Sequence, residues 1–372
     1  MEDMGMNRDF WQGRSVFLTG HTGFKGGWLA LMLQQAGARV SGYALPPAHR
    51  PGIFTSARVA EGMVSTLADV RDGQALARAM ADAAPEIVLH LAAQPLVRAS
   101  YANPVETYEV NVMGTVHFLE AVRRTPSVKV ALVITSDKCY DNRELMRGYR
   151  ENDPMGGRDP YSSSKGCAEL VAASYRHSFL TEQGVFLATA RAGNVIGGGD
   201  WSEDRLIPDI VRAWSGRQPI RIRYPQAIRP WQHVLEALNG YLLLAENLWA
   251  RGDACADGWN FGPPDTDVWT VGDMVQLGRD IWGEGASWQT DHETHPHEAR
   301  ILKLDCTKAM THLGWQPLLD VNTALEWTLS WYRVQQGGDE DMRSFSLDQI
   351  RQYAGLGKPL SETDRVCMGG SD

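Results

Sequence analysis

The chain has 372 residues, 43% of them hydrophobic and 22% charged, which suits one large α/β domain with an appended lobe, or two domains. Its net charge of −9 argues against a nucleic-acid or acidic-membrane surface, so an anionic substrate would need a few local arginines. Met1 to Phe10 has no apolar signal core and no run is long enough to span a membrane. The five cysteines (Cys139, Cys167, Cys255, Cys306, Cys367) are scattered, which predicts reduced thiols in a cytoplasmic protein.

In chain order, Ser15–Thr19 reads as a strand, Gly20-His21-Thr22-Gly23-Phe24-Lys25-Gly26 as a glycine loop, and 27–36 as a helix. Strand, glycine loop and helix together point to a dinucleotide site. Gly20 permits the tight turn, Gly23 lets backbone approach a pyrophosphate, and Gly26 lets the helix pack closely. The second strand, 39–43, ends without the carboxylate that marks NAD, and His49 and Arg50 lie further along the loop as partners for a 2′-phosphate, so NAD and NADP stay open at this point.

The third strand, near 64–67, runs into Asp69 and Val70, with Asp72 as a helix cap. The apolar run Ile87 to Leu91 with Ala92, Ala93 and Gln94 reads as a buried parallel strand. A helix is expected over 105–124, with Asn111 either facing solvent or holding a bend. The fifth strand, 130–134, ends in Thr135-Ser136-Asp137-Lys138, polar residues where open α/β sheets bind ligands. Asp159-Pro160-Tyr161 opens a helix that places Tyr161 and Lys165 on one face (i, i+4), with an apolar face continuing through Leu170, Val171 and Ala173. A cation beside a phenol favours the phenolate, so Tyr161 with Lys165 is a candidate base. A sixth strand, 185–190, completes six β-α units: a doubly wound parallel sheet, of Rossmann type.

Beyond residue 197 the rhythm changes. A helix starts near Leu206, a strand covers 220–224, Arg229-Pro230-Trp231-Gln232-His233-Val234 follows, and an amphipathic helix runs to Leu248. His292, His295 and His297 beside acidic residues lack a familiar ligand frame, so no metal is expected. Trp327 and Trp331 read as core. The expected division is 1–195 for the cofactor domain (also receiving roughly 229–265), 196–355 mainly for a substrate lobe, and 356–372 for a polar tail.

These parts resemble the extended short-chain dehydrogenase/reductase family over nearly the whole chain, and within it the sugar-nucleotide 4,6-dehydratases. The loop 19–26, Thr135-Ser136-Asp137-Lys138 and Arg229 to Val234 carry the likeness. The resemblance implies NAD as cofactor, held by Gly20, Thr22, Gly23, Phe24, Gly26, Asp69, Val70, Leu91, Ala92, Ala93, Tyr161 and Lys165. It implies a lyase that oxidises C4 of a nucleotide sugar, CDP-glucose by the particular echoes, loses water across C5–C6, and returns the hydride to C6, as in O-antigen deoxysugar synthesis. Tyr161 and Lys165 would act on the 4-hydroxyl with Ser136 bound to O4, while Asp137 and Lys138 serve the elimination. Relatives carry a glutamate near the place of Lys138, which leaves the group that takes the C5 proton open. Asn194, Leu206, Arg229 and His233 are the implied substrate contacts, and a homodimer or homotetramer is implied as well. The rivals are another sugar-nucleotide dehydratase, a 4-epimerase, or a cofactor-binding regulator without catalysis.

Overall fold

The computed structural model describes residues 7–264, 267–291, 293 and 299–357. The expected histidine cluster at 292, 295 and 297 and most of the polar tail lie outside the described residues.

The core is a seven-stranded parallel sheet. Its strands are β1 (Ser15–Thr19), β2 (Arg39–Ala44), β3 (Val64–Leu67), β4 (Ile87–His90), β5 (Val130–Ile134) and β6 (Phe186–Ala192), and a later strand, Gly258–Phe261, joins at the far edge. β1, β4 and β5 are buried at every position, because helices cover both faces and the strands are apolar at most positions. The chain builds outward from β1 through β2 to β3, then returns to place β4 on the other side of β1. The strand order reverses there, which opens a crevice at the C-terminal ends of β1 and β4.

The second half adds β7 (Asn194–Ile196), β8 (Ile220–Ile222), β9 (Ile228–Arg229), β10 (Trp231–His233), β11 (Gly258–Phe261), β12 (Trp269–Thr270) and β13 (Trp288–Thr290). β11 pairs in parallel with β6, so the late chain returns to the main sheet. The others form two-stranded pairs, β7 with β10, β9 with β12 and β8 with β13, beside the mouth of the crevice.

Helix Val234–Arg251 is buried at twelve of its eighteen residues, not on one face as its expected amphipathic pattern implies. One side packs on β5 and β6 and the other on helix Phe24–Gln35, so almost no direction is left for solvent. Trp331 is fully buried, and Trp327 packs against the same core.

The helix expected over 105–124 is interrupted. Helical turns Pro104–Tyr108 and Gly114–Arg123 flank a π-turn, Glu109–Met113, and Asn111 sits in it. Asn111 is buried; its Oδ1 accepts from Gln94 N at 2.8 Å and its Nδ2 donates to Gln94 O at 3.0 Å and Ser164 Oγ at 2.9 Å. It holds the bend. Leu170, expected on a buried apolar face, is 62% exposed, because helix Pro160–Tyr175 turns Lys165, Ala168, Glu169 and Ala172 inward.

Candidate active site

The glycine loop closes the crevice on one side. Gly20 has φ +78°, and a Cβ there would stand 2.7 Å from Ala92 N. A Cβ on Gly26 would stand 2.1 Å from the Gly20 carbonyl oxygen. Both positions therefore need glycine. The hydroxyl of Thr19 accepts from the Leu91 and Ala92 amides, each at 3.2 Å, and meets His90 Nδ1 at 2.8 Å, which locks the exit of β1 to that of β4. Gly23 sits just before helix Phe24–Gln35, whose first amides have no helical partner and suit a phosphate. The bare-backbone loop and these amides fit a dinucleotide.

A cavity of about 790 Å³ opens from this loop across the ends of β4 and β5 to the second-half strands, enough for a small-molecule ligand. Ser136, Asp137 and Lys138 line it just beyond β5. The Ser136 hydroxyl donates to Asp137 Oδ1 at 2.9 Å and accepts from Lys138 N at 3.2 Å, capping the 3-10 turn Asp137–Cys139. Asp137 is 2% exposed, and its Oδ2 is buried with no hydrogen-bond partner. An unpaired buried carboxylate oxygen is costly, and one that lines a cavity is placed to meet a ligand hydroxyl.

Tyr161 and Lys165 enter from the opposite wall. Asp159 caps their helix, its Oδ1 accepting from Ser162 N at 2.9 Å and its Oδ2 from Ser162 Oγ at 2.6 Å, and Pro160 occupies the first turn. Both side chains are buried, and Lys165 Nζ donates to Ile134 O at 3.3 Å. Burial pushes the Tyr161 phenol up to about 12, against the hydrogen bond to Ser136, which lowers it, and Asp137 adds to the rise. Burial pulls Lys165 down to about 8, with Glu169 opposing. In the protein alone burial outweighs what lowers the phenol, the hydrogen bond to Ser136 and the Arg205 cation.

Behind this wall lies a buried ion pair absent from the sequence reading. Arg191 donates to Glu169 through Nε at 2.9 Å and Nη2 at 2.8 Å, and Glu169 also accepts from Thr135 Oγ1 and, at 2.6 Å, from Thr189 Oγ1. Arg191 Nη1 reaches the Tyr140 hydroxyl at 2.7 Å, and that hydroxyl donates to Asn260 Oδ1 at 2.7 Å. This network ties the end of β5 to β6, β11 and the tyrosine helix, so it sets where Ser136 and Asp137 stand. Glu169 lies four residues after Lys165, a spacing that was visible, but its partner was not.

Among the further charged groups that border the cavity are Lys25 of the glycine loop, and Asp200 with Arg205, joined at 2.7 Å. Of the expected substrate contacts, Asn194, Leu206 and Arg229 line the cavity. Arg229 is buried, with Nη1 donating to Ile228 O at 2.9 Å. His233 is a correction. It does not line the cavity; it is fully buried between the rings of Trp28 and Trp327, and its Nδ1 accepts from Leu235 N at the start of helix Val234–Arg251. Asp69 and Val70 also lie off the cavity: Arg71 holds the Asp69 carboxylate at 2.6 Å and keeps it below the usual carboxylate range, and Val70 is core. His49 borders the cavity near Leu45, whereas Arg50 does not. Asp72 is the helix cap, accepting from Ala75 N at 2.9 Å.

The doubly wound sheet, its glycine cradle and the grouping of Ser136, Tyr161 and Lys165 define an extended short-chain dehydrogenase/reductase. A family model described as GDP-mannose 4,6 dehydratase matches residues 17–328, and the chain belongs to that family. It is 52% identical to a CDP-glucose 4,6-dehydratase of Salmonella typhimurium, over 94% of this chain and 98% of that relative. It is 24% identical to a UDP-glucose 4-epimerase of Halalkalibacterium halodurans, over 87% of this chain and 97% of the relative. Among solved structures it resembles a dTDP-glucose 4,6-dehydratase from Streptomyces venezuelae with NAD bound (TM-score 0.73, 22% identity, 88% of this chain and 99% of that one). A UDP-glucose 4-epimerase from Stenotrophomonas maltophila with NAD bound gives a TM-score of 0.77 at 21% identity, over 87% of this chain and 99% of that one.

Proposed function

We infer that this chain is an NAD-dependent hydro-lyase that converts CDP-glucose to CDP-4-keto-6-deoxyglucose and water. One observation carries the reading beyond the fold: a buried carboxylate, Asp137, presents an unpartnered oxygen to the cavity and shares Ser136 with Tyr161. An epimerase has no use for a second acid there, whereas loss of the 6-hydroxyl needs one. The 52% identity with the Salmonella enzyme favours cytidine over the other nucleotides.

When bound, NAD supplies the hydride acceptor for C4 and the donor for C6, and its positive ring opposes the burial that holds the Tyr161 phenol protonated. Tyr161 then accepts the 4-hydroxyl proton, with Lys165 beside it and Ser136 bonded to O4. The 4-keto group acidifies C5, whose proton passes to a base on the sugar side and returns to C5 when C6 is reduced; Asp137 protonates the C6 hydroxyl as it leaves as water, and Lys138 steadies the enolate between the two. Each turnover thus leaves Tyr161 one proton richer and Asp137 one poorer. Ser136 touches both, donating to Asp137 Oδ1 and hydrogen-bonded to the Tyr161 phenol, so its hydroxyl is placed to relay a proton between them and reset the site.

Arg229 suits the diphosphate, as its planar fork donates bidentately, while Asn194 and Leu206 flank the sugar and base. Residues 1–195, with roughly 229–265, form the cofactor part in this reading, and the return of β11 to the sheet supports that division. Gly20 to Gly26 and Leu91 to Ala93 hold the dinucleotide; an adenine contact by Asp69 would require release from Arg71. A homodimer is our proposal for the assembly. Val105, Tyr108, Met113 and Leu170 stand exposed on the adjoining helices 104–123 and 160–175, an apolar face that a second copy would cover. Among the described residues no helix is long and apolar enough to cross a membrane; a cytoplasmic location is proposed from the resemblance and from the reduced thiols of Cys139, Cys167 and Cys255.

The test offers purified protein and NAD four substrates side by side: CDP-glucose, dTDP-glucose, UDP-glucose and GDP-mannose. The expected result is a product lighter by one water from CDP-glucose at the highest kcat/KM. Unchanged mass, or a 4-epimer, would overturn the reading.

A further inference from the structure

We propose that Asp209 and Arg223 read the cytosine of the substrate, the carboxylate accepting from its 4-amino group and the guanidinium donating to N3 and O2. The inference rests on the reading that the cavity takes a cytidine diphospho-sugar, and it names the side chains that choose the base.

The cavity has two ends. The glycine loop closes one, Ser136, Asp137 and Tyr161 stand at its middle, and helix Leu206–Ser215, packed on β8, walls the other. With the reacting sugar at Tyr161 and the diphosphate at Arg229, the base falls to this second end. Leu206, Ile220 and Ile222 line it, apolar surfaces that suit the faces of a flat ring.

The charged groups at this end are held in fixed places. Arg212 donates to the Trp201 carbonyl at 3.0 Å and the Ser202 carbonyl at 3.1 Å, and its Nη2 also donates to Asp209 Oδ1. Asp209 is thereby oriented, it borders the cavity, and among the described residues no hydrogen bond engages its Oδ2. Arg223 borders the same end and gives Nη1 to Asp204 Oδ1 at 3.0 Å; among the described residues nothing engages its Nε or Nη2. Asp204 also receives Arg98 at 2.9 Å, from helix Val97–Ala102 of the cofactor part, so it serves to fix two arginines. Asp209 feels both neighbours. Burial raises its carboxyl from the ordinary value against Arg212, while Asp204 adds to the rise and Arg223 opposes it.

The pairing edge of cytosine presents one donor, the 4-amino group, and two acceptors, N3 and O2. A carboxylate beside a guanidinium is the matching set, one acceptor and a fork of donors. Uracil and thymine reverse two of the three places, because O4 accepts and N3–H donates. Asp209 would then face oxygen lone pairs and Arg223 an N–H, so both contacts turn repulsive.

The experiment measures dissociation constants for CDP and UDP by calorimetry, on the wild-type protein and on Asp209→Asn and Arg223→Met. The wild-type protein should prefer CDP. Asp209→Asn, whose amide can turn its NH2 toward O4, should lower the CDP-over-UDP affinity ratio about tenfold. Arg223→Met should lower the same ratio by weakening CDP more than UDP. A wild-type ratio in either variant, or equal weakening of both nucleotides, would overturn the proposal for that residue. The wild-type protein tests the underlying reading separately. If it binds UDP as tightly as CDP, the cytidine assignment falls and the proposal with it; a preference for CDP that both variants keep removes only the roles of Asp209 and Arg223.

Discussion

The Ser136 hydroxyl donates to Asp137 Oδ1 across 2.9 Å, so the residue expected to bind the sugar O4 is also bonded to the acid of the elimination. The first prediction follows from this double engagement. Ser136→Ala should lower kcat about 100-fold, whereas Ser136→Thr, which keeps the hydroxyl, should lower it much less. Asp137→Asn should still reduce the cofactor, seen as absorbance near that of NADH, while water loss falls by about 10²- to 10⁴-fold. Normal turnover in Asp137→Asn would remove this carboxylate from the mechanism.

Tyr161→Phe should abolish cofactor reduction, since the phenol is the base assigned to the 4-hydroxyl proton. Burial raises the phenol to about 12 in the protein alone, so the reductive step in the wild-type enzyme should speed up as pH rises and more phenolate forms. A stopped-flow pH series reads this directly; a rate that falls with pH would contradict the assignment.

Glu169 and Arg191 are both 5% exposed in their side chains and carry the network that positions Thr135 and Ser136. Removing one partner leaves a buried charge uncompensated. Glu169→Ala should therefore cost about 3–5 kcal/mol in urea unfolding, and more than a double replacement of the pair by apolar residues.

Glu236, on the buried helix Val234–Arg251, accepts from the Leu318 amide at 2.8 Å, the Leu319 amide at 2.6 Å and the Tyr353 hydroxyl at 2.8 Å. Burial nevertheless raises its carboxyl from 4.5 to about 7. A raised folded-state value contributes stability that is complete below about 4.5 and lost as pH climbs through about 7. Between pH 5 and pH 8 the wild-type protein should lose about 1–3 kcal/mol relative to Glu236→Gln. Parallel urea midpoints for the two proteins across that range would contradict this.

What could be read in advance was local. The glycine loop, the strands at 64–67 and 130–134, and the four-residue spacing of Tyr161 and Lys165 each depend on neighbours in the chain, and all were legible. His233 misled because the stretch 229–234 carries one residue to the cavity, Arg229, while the next alternations turn His233 into the core. Arg191 and Glu169 stand 22 residues apart, so no spacing rule joins them. Leu170 is apolar but faces outward, and only the packed structure reveals which side of its helix is covered.

The account stands most directly on the fate of one hydrogen. CDP-glucose deuterated at C4 should yield product carrying that deuterium at C6 of the same molecule, with one water lost, when followed by NMR and mass spectrometry. Deuterium washed into solvent, or retained at C4 of an unchanged or epimerised sugar, would contradict it.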